Sequence, residues 1–294
     1  MKKLLVLLSA LALASTSVSA EPLVITVQNA GSKTGSFAQQ SIAYSQDLES
    51  LGYTVTLDIP DNHCIGAAKA IQAKGPVLVP WASDYEAEGR YLGGCITVDV
   101  PEAQVIRFDR NVLHVCTLDS SRNEFDTTSG RLGGSLPQTL LDRAMNVVNE
   151  HFGVAHRTIR YNGSGDLKTA MFNGEIDYAL LSLKHAKDAT SRGASCFYTF
   201  GDQLIDNTEN LITIVGSEHE DVLTIGYDAV WLALNMSDDQ VAQLRNDVRN
   251  LHTDPNSAIF NYTDGDKNVT PVWELTSEES AAKFEQSVQA LKAQ

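Results

Sequence analysis

A unit of strand, small-residue loop and helix occurs twice in this chain, and it restricts the fold to alternating β and α layers. The first copy runs from a strand over 23–27 through residues 29–36 (Asn-Ala-Gly-Ser-Lys-Thr-Gly-Ser) into a helix predicted over 37–51. The second runs from a strand over 113–117 to residues 130–135 (Gly-Arg-Leu-Gly-Gly-Ser) and a helix predicted over 136–152. Both loops end in Ser-x-x-Gln, Ser36 with Gln39 and Ser135 with Gln138, the residue pair of a capping box. A helix start leaves backbone N–H groups unpaired and carries a partial positive charge, so it can hold an anion. Two such starts in one chain point to a ligand clamped between two lobes.

The rest of the chain keeps the alternation. Residues 53–59 read as a strand, and a short helix follows with Asp61 as its cap and Ala67, Ala68, Ala70 and Ile71 along it. Residues 76–80 read as a buried strand running into a loop, Trp81-Ala-Ser-Asp84. Strands alternating with helices at this spacing form parallel sheets, whose ligands sit outside the carboxyl ends of the strands. The loops after Val27 and Pro80 therefore share one rim. Strands over 105–107 and 113–117 flank a crossing into a second lobe, and 211–215 and 229–234 are strand candidates for the return. The tail holds a helix from about Ser237 and another after the Thr276-x-x-Glu279 box. The expected division is a signal peptide over 1–20, one lobe over 21–112 with 227–294, and a second over 113–226.

Lys2 and Lys3, the apolar run 4–14 and Val18-Ser-Ala20 form a secretory signal cut after Ala20, which predicts a periplasmic protein. The apolar run is too short for a membrane span. Losing the two lysines takes the formal charge from −15 to −17, which argues against nucleic acid or an anionic membrane as partner. An anionic ligand then has to be held by local dipoles and hydrogen bonds. The four cysteines suit two disulfides in an oxidising compartment, with three connectivities open. Cys64–Cys95 and Cys116–Cys196 are preferred because each pair stays within one expected lobe.

In its order of elements the chain resembles the exported solute-binding receptors of tripartite tricarboxylate transporters, the Bug proteins. The resemblance rests on Ile25-Thr-Val27 before the Gly/Ser loop, Gly133-Gly-Ser135 before a helix, and Tyr161-Asn-Gly163 followed by 167–177. The Trp231 strand with the helix after Ser237, and the terminal segment 276–284, complete it. The family implies an α/β, two-lobed periplasmic-binding fold of the second type. Each lobe would be a mostly parallel sheet flanked by helices, with small carboxylates held in the cleft between them. It implies a membrane permease of a tripartite transporter as partner, no cofactor, and a monomer. The runner-up roles are a ligand-presenting sensor subunit for a membrane receptor kinase and a binding protein for an uncharged solute.

Candidate ligand-binding residues follow from the loops at the strand ends. Asn29, Ala30, Gly31, Ser32, Thr34, Gly35 and Ser36 form a cradle of N–H and hydroxyl donors, with Lys33 adding charge; the alternative is an ordinary βα loop with a solvated lysine. Arg131 can fork onto a carboxylate, and Gly133, Gly134 and Ser135 permit close backbone approach. Tyr161, Asn162 and Gly163 line the cleft floor, with core packing as the rival role for Tyr161. Trp81, Ala82 and Ser83 follow the third strand. No Gly-x-Ser-x-Gly elbow or His-Glu-x-x-His motif is present, so binding is expected rather than catalysis. The seven scattered histidines read mostly as surface or capping residues. Asp264-Gly-Asp-Lys-Asn268 starts like a calcium loop, but Val269 and Leu275 stand where glycine and a final acid are needed, so a turn and no metal is expected.

Overall fold

The computed structural model describes residues 23–28, 35–60, 63–82, 103–110, 112–119, 130–134, 140–154, 156–161, 164–201, 205–216, 228–267 and 271–292. Its strands form two separate sheets. The first contains β1 (Val24–Gln28), β2 (Thr54–Asp58), β3 (Val77–Ala82), β4 (Ala103–Arg110) and β11 (Asp228–Leu234), in the order β2-β1-β3-β11-β4. The second contains β5 (Leu113–Thr117), β6 (Arg131–Gly134), β7 (Arg157–Arg160), β8 (Tyr178–Ser182), β9 (Ser195–Phe200) and β10 (Glu209–Asn210), in the order β10-β9-β5-β8-β6-β7. Each sheet is parallel apart from one strand: β11 runs against β3 and β4, and β5 runs against β8 and β9. Both exceptions receive the chain from the other sheet. A chain arriving at the carboxyl rim has to run backwards.

The helices are α1 (Ser36–Ser50), α2 (His63–Gln72), α3 (Leu140–Phe152), α4 (Ser164–Phe172), α5 (Leu183–Ser191), α6 (Leu211–Val215), α7 (Asp238–Leu251), α8 (Ala258–Thr263) and α9 (Ser277–Lys292). On α7 the buried residues Val241, Leu244, Val248 and Leu251 repeat at helical spacing, so one stripe packs on the first sheet. Each such side chain contributes about 1.5–3 kcal/mol relative to exposure. Against this stripe lie Tyr44 and Leu48 of α1, Ile25 and Val27 of β1, and Trp231 of β11. The second sheet has a core on each face, and all five β5 residues are buried, as suits a strand covered on both sides. Cys116 and Cys196 face each other in the β5–β9 ladder and form a disulfide. Cys95 lies outside the described residues, so its expected bond to Cys64 does too.

Several local expectations give way. Gly35, not Ser36, caps α1, with φ −74° and ψ 164° and no side-chain cap bond. The Ser36 hydroxyl instead lies 3.1 Å from Tyr262 Oη and accepts from Gln40 Nε2 at 3.2 Å, one turn along α1. The Thr276/Glu279 box does form, with bonds in both directions, and Ser237 with Gln240 makes another at the start of α7. Residues 131–134, expected in a loop, are strand β6. The glycine at 133 serves packing: a Cβ there would sit 2.3 Å from Ile176 Cδ1 and 2.7 Å from Leu167 Cδ2. Trp81 and Ala82 continue β3 instead of opening a loop, Trp81 opposite Val230. The expected strand 211–215 is helix α6, because Asn210 accepts the Ile212 N–H at 3.0 Å and starts a helical turn. His114, His156 and His252 are buried, against the expected surface roles.

Candidate functional site

The topology brings the carboxyl rims of the two sheets into the same neighbourhood. β4 ends at Arg110, opposite Asp228, the first residue of β11. Three residues later β5 opens at Leu113, opposite Ser182 and Phe200, the last residues of β8 and β9. The chain therefore leaves the first sheet and enters the second at carboxyl ends, where open α/β sheets bind ligands. Helices α1 and α5 both start there, α5 directly after its cap Ser182.

One aromatic ring from the C-terminal region joins these two starts. Tyr262 on α8 places its hydroxyl 3.1 Å from Ser36 Oγ at the start of α1. Its ring lies under the Lys184 ammonium in the first turn of α5, with Nζ 3.2 Å from the centroid, a cation–π contact. Lys184 Nζ also donates to the Tyr262 carbonyl at 2.9 Å. One turn further along α5, Lys187 Nζ donates to the Lys267 carbonyl at 2.6 Å. Burial pushes the Lys184 ammonium down to about 8, with the charge of Asp188 opposing and that of Lys168 assisting. His185 beside it is pushed down to about 4 by burial and by Lys168 and Lys184, so it is neutral at pH 7, its Nδ1 3.0 Å from Ser182 Oγ. The Ser182 N–H donates to Ser164 Oγ, at the start of α4, at 3.3 Å.

The segment carrying Tyr262 is anchored from behind by a buried polar cluster. The Arg107 guanidinium on β4 is 1% exposed and donates to Gln40 Oε1 at 2.7 Å and to the Asp109 carboxylate, Tyr44 and His252 Nε2. His252 Nδ1 in turn meets Asp266, which also accepts from Trp273 Nε1 at 3.0 Å. Burial first, and Arg107 second, hold His252 below its ordinary range, so the neutral ring accepts from Arg107 and donates from Nδ1 to Asp266. Asp264, Gly265 and Asp266 take left-handed φ values of 53°, 59° and 67°, making the expected turn.

The residues expected from sequence are spread beyond this meeting point of α1, α5 and α8. Gly35 and Ser36 stand at the α1 start and Gly134 at the carboxyl end of β6. Trp81 is 1% exposed, packed within the first sheet, and Ala82 ends β3. Arg131 opens β6 at the amino end, three residues from the carboxyl rim, and its fork is already taken by Asp177 through Nε and Nη2, each at 3.2 Å. Tyr161 directs its hydroxyl to Glu175 at 3.2 Å, and its ring borders the core that contains Cys116 and Leu167. Asn29, Ala30, Gly31, Ser32, Lys33, Thr34, Ser83, Ser135, Asn162 and Gly163 lie outside the described residues. Sequence reasoning missed Lys184 and Tyr262. The loop rule that marked the segment after Val27 applies equally to the end of β8 and reaches Lys184. Tyr262 has no such signal, being 226 residues from the serine it touches.

No family model and no curated protein matches the sequence. Solved structures do match. The periplasmic binding protein BugD is 13% identical with a TM-score of 0.71, over 93% of this chain and 96% of that one. MatC from Rhodopseudomonas palustris, solved with bound malate, is 10% identical with a TM-score of 0.66, over 92% and 98%. An R. palustris protein solved with adipate is 13% identical with a TM-score of 0.61, over 92% and 97%. This is the fold of the type II periplasmic binding proteins. Among the described residues no helix is long and apolar enough to cross a membrane.

Proposed function

We propose that this chain is a periplasmic solute-binding protein that captures a small mono- or dicarboxylate between its two sheets and delivers it to a membrane permease. The observation that carries the reading is the convergence of the α1 and α5 starts on Tyr262, at the carboxyl ends of both sheets. The malate and adipate held by two proteins of the same fold support the ligand class. Residues 21–112 with 227–294 form one lobe and 113–226 the other, and the crossing near residue 112 is one hinge. The loop 29–36 supplies donors from the first lobe, and the strand ends at 134–135 and 161–163 supply them from the second. Ligand favours the closed arrangement because only that arrangement offers both sets of contacts. The protein acts as a monomer after signal cleavage at Ala20, and it binds its solute without turning it over.

The test is a thermal-shift panel of residues 21–294, prepared ligand-free, against mono-, di- and tricarboxylates, amino acids and neutral amides. A ligand at about 100 times its Kd adds about 2.7 kcal/mol, several degrees in a protein of this size. A shift with one carboxylate that is absent with its amide supports the reading. A flat response to every carboxylate, with a shift for a neutral solute, replaces the ligand class.

A further inference from the structure

Lys184 is a half-buried cation without an anion. No carboxylate of the described residues lies within ion-pair distance of its Nζ, and its partners are the carbonyl and ring of Tyr262. The chain has 37 acidic and 22 basic side chains, and Lys187 and Arg245 share with Lys184 a carbonyl in place of an acid. Lys69, Lys168 and Lys267, all closer to solvent or to an acid, are paired with Asp58, Asp188 and Asp264. Asp188, one turn further along α5, is occupied by Lys168 and Arg192. Its contacts are the carbonyl and the ring of Tyr262, and an ammonium carries three donors. His185, next in the chain, is neutral and offers no charge. Removing an ammonium from water without a counter-ion is costly, and an anion arriving beside it reverses that cost.

We propose that Lys184 is the counter-ion of the ligand carboxylate, with Tyr262 as the positioning residue that sets it opposite Ser36. The inference rests on the binding function proposed above and names the charge that makes the site select an anion. Ser36 and Lys184 stand on helices that follow strands of different sheets, yet one ring touches both. A carboxylate bound beside that ring receives a charged donor from α5 and neutral donors from the start of α1. Tyr262 is itself fixed through the turn that ends in Asp266 and the buried Arg107 cluster, so the ammonium is held against a rigid backing.

The closing experiment is titration calorimetry with the carboxylate that gives the largest shift in the thermal panel, run in two buffers of different ionisation heat. The groups facing Lys184 are Tyr262 from α8, Lys168 from α4, and His185 and Asp188 on its own helix. An ammonium that titrates at about 8 is partly deprotonated at pH 8.5, so wild type takes up roughly 0.7 proton per carboxylate there and about none at pH 6.5. Lys184→Met is expected to weaken binding 10- to 100-fold and to abolish the uptake. Lys184→Arg keeps most of the affinity and shows no uptake, because arginine stays charged. Tyr262→Phe keeps the uptake and weakens binding less. Equal Kd and equal uptake in wild type and Lys184→Met overturn the inference and leave the binding function standing. If Lys184→Met fails to fold, proton uptake by Lys184→Arg equal to wild type overturns it. Absence of carboxylate binding by wild type removes both.

Discussion

Replacing Arg107 with methionine removes the centre of the buried cluster while keeping most of the side-chain volume. The Asp109 carboxylate, 1% exposed, then loses its cation, and Gln40, Tyr44 and His252 lose a donor. Breaking a buried pair by removing one partner costs about 3–5 kcal/mol, because the surviving charge stays out of water. In a chain of this size that lowers the Tm by roughly 6–20 °C. Removing the aspartate as well, in Arg107→Met/Asp109→Leu, leaves no orphan charge and is expected to recover most of the loss. Urea unfolding followed by tryptophan emission is a suitable assay. Trp231 lies 5.9 Å from the guanidinium, and Trp273 bonds to Asp266, so local loosening and global unfolding both register. A cost below about 1 kcal/mol for the single variant refutes the reasoning, as does a double variant as unstable as the sum of the two singles.

Three further outcomes are expected. His114 is fully buried and burial holds it down at about 4, so the unfolded chain takes up a proton first as pH falls below 6.5. Stability should decline between pH 6.5 and 4 by about 3 kcal/mol from this group, and His114→Gln should flatten that part of a Tm-against-pH curve. The Cys116–Cys196 bond closes a separation of 80 residues, worth about 4.5 kcal/mol by chain entropy. The Cys116→Ala/Cys196→Ala variant should unfold at correspondingly lower urea, and no change in the midpoint would contradict this. Gly133→Ala drives a methyl into Ile176 and Leu167 and should cost about 1–3 kcal/mol, read by the same denaturation; a neutral result means that α4 yields.

Much of the fold was legible because it is written in local periodicity. The strands at 24–28 and 54–58, α1, β11 and the capped starts of α7 and α9 carry their apolar spacing and caps within a few residues. Glycine pairs are less informative, since Gly133-Gly134 reads as a loop until Leu167 and Ile176 are seen to need the room. Ser36 shows the same limit: its box is complete in sequence, but a tyrosine far along the chain takes the hydroxyl. The site itself was half legible. The rule about carboxyl ends of strands found the α1 start, while Arg131 attracted attention as a fork that Asp177 already fills. Long-range pairing decides which arginines and lysines remain available, and no window of sequence reports it.

The single reversed strand in each sheet also imposes an order of assembly. Residues 113–210 contain every strand of the second sheet, so it can close as soon as they have emerged. The first sheet cannot, because β11 lies between β3 and β4, and β4 has no neighbour in that sheet until residues 228–234 arrive. During synthesis, β1 to β3 precede their partner β11 with an open edge while the strands of the second sheet follow. Long-range pairing of this kind is slow and exposes strand edges to other chains. The strand that makes the first sheet whole therefore follows the described strands of the second sheet in the chain, and the α8 segment with Tyr262 comes later still.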